Sequence, residues 1–185
     1  MSKENAKRKI TTKVLVTSAV AIALAMVTSN IKLIDMPMGG SVTLCSMLFV
    51  CMIGYFYGPY VGFVASVAYG ILQFIFGGYM LNIPQVLVDY LFSFGILGVS
   101  GFFKNRKYGL MIGYLAGVLG RYFFAFLSGM IFFGEYAADY NMTAPVYSLL
   151  YNGAYLGLEA LITVIIIVIP PVAKGIDYVK RMVTE

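Results

Sequence analysis

The sequence predicts an all-α integral membrane protein with six transmembrane helices and both termini in the cytoplasm. Three observations lead to this. The 185 residues are 61% hydrophobic and only 11% charged, outside the range of ordinary soluble domains. The apolar residues gather into blocks long enough to cross a bilayer, which takes about 20 residues per helix. Lys and Arg gather at alternate ends of those blocks, on the side that the positive-inside rule makes cytoplasmic.

The first span, 11–31, follows Lys3, Lys7, Arg8, Lys9 and Lys13. A basic start before an apolar run resembles a signal peptide. Here the run is long and leads straight into further spans, so it reads as a retained helix. The next apolar block is too long for one helix and carries Tyr57-Gly58-Pro59 at its middle. Gly-Pro stops a helix and favours a turn, which divides the block into spans 42–57 and 59–77. The fourth span, 85–103, and the fifth, 108–134, flank Lys104, Arg106 and Lys107. The sixth, 146–173, precedes Lys174, Lys180 and Arg181. These three clusters hold 11 of the 13 Lys and Arg residues, and an even number of spans puts all of them on one side. The outer loops carry Asp35, Glu135 and Asp139 instead. Residues 1–185 thus read as a single six-helix membrane domain, expected in a cell membrane. The net charge of +5 follows from the cytoplasmic helix ends and does not call for nucleic acid.

Cys45 and Cys51, the only two cysteines, read as buried small hydrophobes rather than a disulfide or metal pair. The chain has no His, which removes the commonest metal ligand and general base. No phosphate loop, zinc-protease helix or nucleophile elbow occurs. Neither catalysis nor a cofactor is expected.

Function points to the outer half. The outer connections, around Asp35–Ser41, Gly77–Gln85 and Gly134–Pro145, are longer and richer in Gly and Pro than the cytoplasmic turns. Long loops in a compact domain are where binding segments occur. Beneath them lie three ionisable residues inside apolar spans: Asp89, Arg121 and Glu159. Such residues are expensive in a membrane and mark candidate functional sites. Two acids against one base leave a negative balance that suits a cation. Arg121, Ala125 and Gly129 recur at i, i+4 and i+8; Asn152, Tyr155 and Glu159 recur at i, i+3 and i+7, with Tyr147 and Tyr151 above. The plainer alternative is an acid–Arg pair tying helices together beneath an interfacial tyrosine belt. In the first span, Ala19/Ala23 and Ala21/Ala25 form small-xxx-small pairs that let another helix approach.

The motifs Met36-Pro37-Met38-Gly39-Gly40-Ser41-Val42-Thr43, Pro84-Gln85 with Leu87-Val88-Asp89-Tyr90, Arg121-Tyr122-Phe123-Phe124 with Ser128-Gly129, and Tyr147-Ser148-Leu149 with Tyr151-Asn152-Gly153 and Glu159 occur in order over nearly the whole chain. Together they resemble the thiamine-specific S components of energy-coupling factor (ECF) transporters. The resemblance implies an S-component fold that captures a vitamin from outside and works with a transmembrane scaffold protein and two ATPases. ATP would be used only by those partners. It also implies a pocket built from Asp89, Tyr90, Arg121, Gly129, Phe133, Tyr147 and Asn152, and a scaffold contact at Ala19 and Ala23. Glu159 is expected either in that pocket or against a neighbouring helix, and Arg121 is expected to hold Asp89 in place.

Two departures stand out. Ala125 occupies the position of a family histidine, and Phe133 that of a tryptophan, with no Trp anywhere in the chain. Phe keeps a weaker cation–π face, and Ala offers no hydrogen bond. The pocket is therefore expected to be larger, less polar, or shaped for a relative of thiamine. Thiamine is the first expectation, with pyridoxine or hydroxymethylpyrimidine as alternatives on the same scaffold. A stand-alone proton-coupled transporter relaying through Asp89 or Glu159 is a different reading. Small size and the lack of an evident internal repeat stand against it. A purely structural membrane protein would bind no small molecule.

Overall fold

The computed structural model describes residues 10–185, so the basic residues Lys3, Lys7, Arg8 and Lys9 lie outside the described part. Six helices cross or enter the bilayer region: α1 Thr12–Ser29, α2 Ser46–Tyr57, α3 Pro59–Gly77, α4 Ile83–Phe103, α5 Gly109–Phe132 and α6 Ala144–Val168. A seventh, α7, Pro170–Thr184, follows. All but α2 among the first six are long and apolar enough to span a membrane.

The first outer connection is not an irregular loop. β1, Lys32–Asp35, pairs antiparallel with β2, Ser41–Thr43. Gly39 and Gly40, at φ +93° and +73°, supply a turn that residues with a Cβ adopt only under strain. The expected second span, 42–57, is corrected accordingly. Val42 and Thr43 belong to β2, Cys45 turns the chain with φ +55°, and α2 starts only at Ser46. Periodicity cannot separate a short apolar strand from the beginning of a helix.

At 12 residues, α2 is about 18 Å long, well short of a hydrocarbon core of about 30 Å. It survives because it is central: nine of its 12 residues are buried, and it contacts α1, α3, α4, α5 and α7. Gly58, at φ +98°, and Pro59 end α2 and begin α3, as the sequence implies. Below, α4 presses onto this corner so closely that a Cβ at Gly98 would stand 2.5 Å from the Phe63 backbone nitrogen.

The fourth helix is irregular. Asn82 caps it by accepting a hydrogen bond from Gln85 N at 2.9 Å. Residues Leu87–Phe92 then widen into a π-helical turn, and Ile96–Phe103 tighten into 3-10 geometry. Single π turns inside helices recur at functional sites, and this one carries Asp89 and Tyr90.

The expected sixth span, 146–173, is also corrected: α6 stops at Val168. Ile169 is extended, at φ −63° and ψ 121°, the conformation that a following proline favours. Pro170 and Pro171 then open α7, whose Val172, Ile176, Val179 and Val183 form one inward stripe. Lys180 Nζ donates to the Lys104 carbonyl at 2.7 Å and lies 3.7 Å from the centre of the Tyr55 ring. Burial lowers the Lys180 pKa below the usual lysine range. These contacts bring α7 and the basic 104–107 turn to the same end of the bundle.

Candidate substrate-binding site

A cavity of about 540 Å³ lies in the outer half of the bundle. All three outer connections reach it, through Met38 of the hairpin turn, Tyr79 before α4 and Tyr136 after α5. Of the eight residues expected at a binding site, Asp89, Tyr90, Arg121, Gly129, Phe133, Tyr147 and Asn152 line it. Glu159 does not.

Asp89 is half-buried in the π turn of α4. Its Oδ2 accepts a short hydrogen bond from Gln85 Nε2, and the buried Ser128 hydroxyl stands near the same carboxylate. Gln85, only 1% exposed, uses its whole amide. Nε2 also donates to the Tyr79 carbonyl at 3.3 Å, and Oε1 accepts from Leu81 N at 3.1 Å. Tyr90 adds a parallel tie, its hydroxyl accepting from Tyr79 N at 2.9 Å. The loop before α4 is thereby fastened to the two residues that meet the cavity.

Arg121 does not take the role expected for it. It forms no ion pair with Asp89; the one ion pair among the described residues is the exposed Lys32–Asp35 contact at 3.9 Å. The guanidinium instead lies over the Phe94 ring, 4.0 Å from its centre, a cation–π arrangement strengthened where water is scarce. Arg121 Nε is buried with no hydrogen-bond partner.

Asn152, 4% exposed, is largely committed to the protein. Its amide nitrogen donates to the Ala125 carbonyl at 3.2 Å and the Ser148 carbonyl at 3.0 Å, and Oδ1 accepts from the Tyr155 hydroxyl at 3.0 Å. Only the second lone pair of Oδ1 is left for a ligand. Gly129 allows this contact between α5 and α6: a Cβ there would stand 2.2 Å from Ser148 Oγ.

Aromatic rings form the rest of the wall. Phe133 lies between Tyr79 and Tyr136, at 6.2 and 6.3 Å between ring centres. Tyr140, in the connection before α6, begins a series that Tyr147, Tyr151 and Tyr155 continue down that helix, with neighbouring ring centres 5.4 to 5.7 Å apart. The sequence places Tyr151 and Tyr155 on the polar face of the sixth span without naming them as ligand contacts, and it does not single out Gln85, Tyr79 or Tyr136 as site residues. The i, i+4 spacing of Gln85 and Asp89 was the available signal for the first of these.

Glu159 is 3% exposed and faces a second cavity of about 390 Å³ beneath the hairpin. Its Oε2 accepts from Thr43 N at 3.0 Å and Thr43 Oγ1 at 2.8 Å, and Oε1 accepts from Ser46 Oγ at 3.3 Å. It thus anchors β2 and the start of α2.

The chain itself matches known proteins in sequence and in fold. A profile of the thiamine transporter protein family (Thia_YuaJ) covers residues 15–176. The chain belongs to this family. The thiamine transporter ThiT of Bacillus subtilis (strain 168) is 28% identical over 169 residues, covering 84% of this chain and 86% of the relative. ThiT of Lacticaseibacillus paracasei (strain ATCC 334) is 29% identical over 119 residues, covering 57% and 59%. A solved structure of ThiT from Listeria monocytogenes superposes with a TM-score of 0.69 at 25% identity, over 85% of this chain and 94% of that one. Family membership and five strongly apolar helices plus a shorter one make this family member a multi-pass protein of the bacterial membrane.

The α1 alanines separate by face. Ala25 is fully buried and Ala21 half-buried, whereas Ala19 and Ala23 are exposed on the side away from the bundle. Val16, Val20 and Val27, each more than half exposed, share that outer face.

Proposed function

We propose that this protein is the thiamine-binding S component of an ECF-type importer, capturing the vitamin from outside and handing it to partner subunits that hydrolyse ATP. One observation carries the reading: a single half-buried carboxylate, Asp89, opens into a cavity walled by aromatic rings beneath the outer loops. A permanently charged thiazolium is matched by the acid's charge and by cation–π contact with the ring faces. The Asp89 carboxylate, an acceptor with several lone pairs, suits the amino group of the aminopyrimidine. The names of the curated relatives, both thiamine transporters, support the same ligand.

In this reading Tyr90, Phe133 and Tyr147 supply ring surface, Gly129 supplies room, and Asn152 holds α6 in position while offering one acceptor. Arg121 sets the local charge from the cavity wall. Glu159 stands behind the site rather than in it. The scaffold protein docks on the outward alanines, Ala19 and Ala23, where small side chains permit close helix approach in lipid. The chain itself is a transport subunit, with ATP hydrolysis left to the partners.

Isothermal titration of the purified protein tests the ligand. Saturable thiamine binding is expected, with mass spectrometry finding thiamine co-purified. Binding of pyridoxine or hydroxymethylpyrimidine with no heat from thiamine would overturn it, and would assign the space at Ala125 and Phe133 to a different vitamin.

A further inference from the structure

The three ionisable side chains within the spans line two cavities, the second of which Lys32 of the hairpin also lines. Asp89 lines the first, Glu159 lines the second, and Arg121 lines both, from a wall shared with Phe94, Tyr151 and Tyr155. Arg121 pairs with neither acid. It rests on the Phe94 ring with Nε unbonded, although a guanidinium carries five donors and tolerates unpaired burial poorly.

We propose that Arg121 is a counter-charge that shifts between two acids. Glu159 then sets the preference for a cationic ligand by receiving Arg121 when that ligand takes Asp89. The proposal rests on the reading of the first cavity as a site for a vitamin cation.

Without ligand, Arg121 is the positive charge nearest the first cavity that can offset Asp89. A cation entering beside Asp89 replaces it in that role and becomes its like-charged neighbour. Beside half-buried groups and aromatic walls, such repulsion is stronger than in bulk water. Turning toward the second cavity converts repulsion into attraction, because Glu159 waits there. Three hydrogen bonds from Thr43 and Ser46 already fix this carboxylate, so it can receive a cation without rearranging. The second cavity, about 390 Å³, has room for a guanidinium. The geometry of α6 fits the same path. Asn152 lines the first cavity, Tyr155 both and Glu159 the second, on one helix face that covers about 10 Å along the axis.

Titration of the full-length protein with two ligands tests this: thiamine, and an uncharged isostere in which carbon replaces the quaternary nitrogen. Glu159→Gln keeps an acceptor for Thr43 but removes the charge. It is expected to weaken thiamine binding about tenfold and isostere binding by less than about twofold. In an Arg121→Gln background the same change should have no further effect. Equal losses for both ligands, or no loss for thiamine, would overturn the proposal while leaving thiamine as the substrate. Wild-type protein that binds the isostere but not thiamine would sink the cation reading and the proposal together. A structure of the thiamine complex gives a readout independent of how the variant folds. Arg121 within about 4 Å of Glu159 is expected, and Arg121 still lying on Phe94 refutes the shift.

Discussion

Gln85 holds Asp89: the amide nitrogen of the one donates to the carboxylate of the other a turn further along α4. A neutral donor thus fixes the acid, and no basic residue among those described is ion-paired to it.

Asp89→Asn should therefore act on binding rather than folding. The amide oxygen can still accept from Gln85, and no buried cation loses an ion pair, the change that is strongly destabilising. Thiamine affinity is expected to fall about 100-fold, roughly 3 kcal/mol, with the unliganded melting temperature nearly unchanged. Calorimetry and a thermal-shift series in the same detergent check both halves.

Gln85→Leu keeps the volume and removes the amide. Thiamine binding should weaken about tenfold, because the Asp89 carboxylate is no longer oriented. Hydrogen exchange supplies the finer readout. The Leu81 amide, bonded to Gln85, should exchange faster, while the Tyr79 amide, bonded to the Tyr90 hydroxyl, should keep its protection. Equal loosening of both would mean that the whole loop had detached.

Gly129→Ala forces a methyl group to within 2.2 Å of Ser148 Oγ. Such overpacking costs about 1–3 kcal/mol, so melting temperature and ligand affinity should both drop. Adding Ser148→Ala removes the clashing oxygen and should recover part of the stability. Absence of any recovery would place the strain elsewhere.

Ala19→Leu and Ala23→Leu lie on the exposed face of α1 and remove nothing from the cavity. Thiamine binding by purified protein should be unaffected, while uptake in cells or in vesicles with the partner subunits is lost. Impaired binding in the isolated protein would show that this face packs internally.

Hydropathy and charge made the helices readable, and the Gly58-Pro59 break could be placed to the residue. What escaped was governed by contacts. Val42 reads as the start of a helix until Lys32–Asp35 folds back beside it. The apolar run through residue 173 hides the stop at Pro170, where α7 turns to pack its own stripe. Arg121 and Asp89 invite pairing on charge alone, but whether two long-separated residues come within 4 Å depends on helix rotation that spacing does not encode. Tyr79, Tyr136, Tyr151 and Tyr155 resemble an ordinary interfacial belt in the sequence, and only the convergence of three loops on one cavity separates them from it.

The brevity of α2 has a volumetric consequence. A full-length span in its central position would continue upward past Ser46 and Thr43, through the space that the second cavity occupies. The chain turns aside at Cys45 and lays the hairpin across the top, leaving roughly two helical turns of the bundle's axis unfilled. Room among these helices thus comes from an omission at the centre of the bundle rather than from splaying its walls. An insertion lengthening α2 outward would be expected to close that space while leaving the outer ring of helices where it stands.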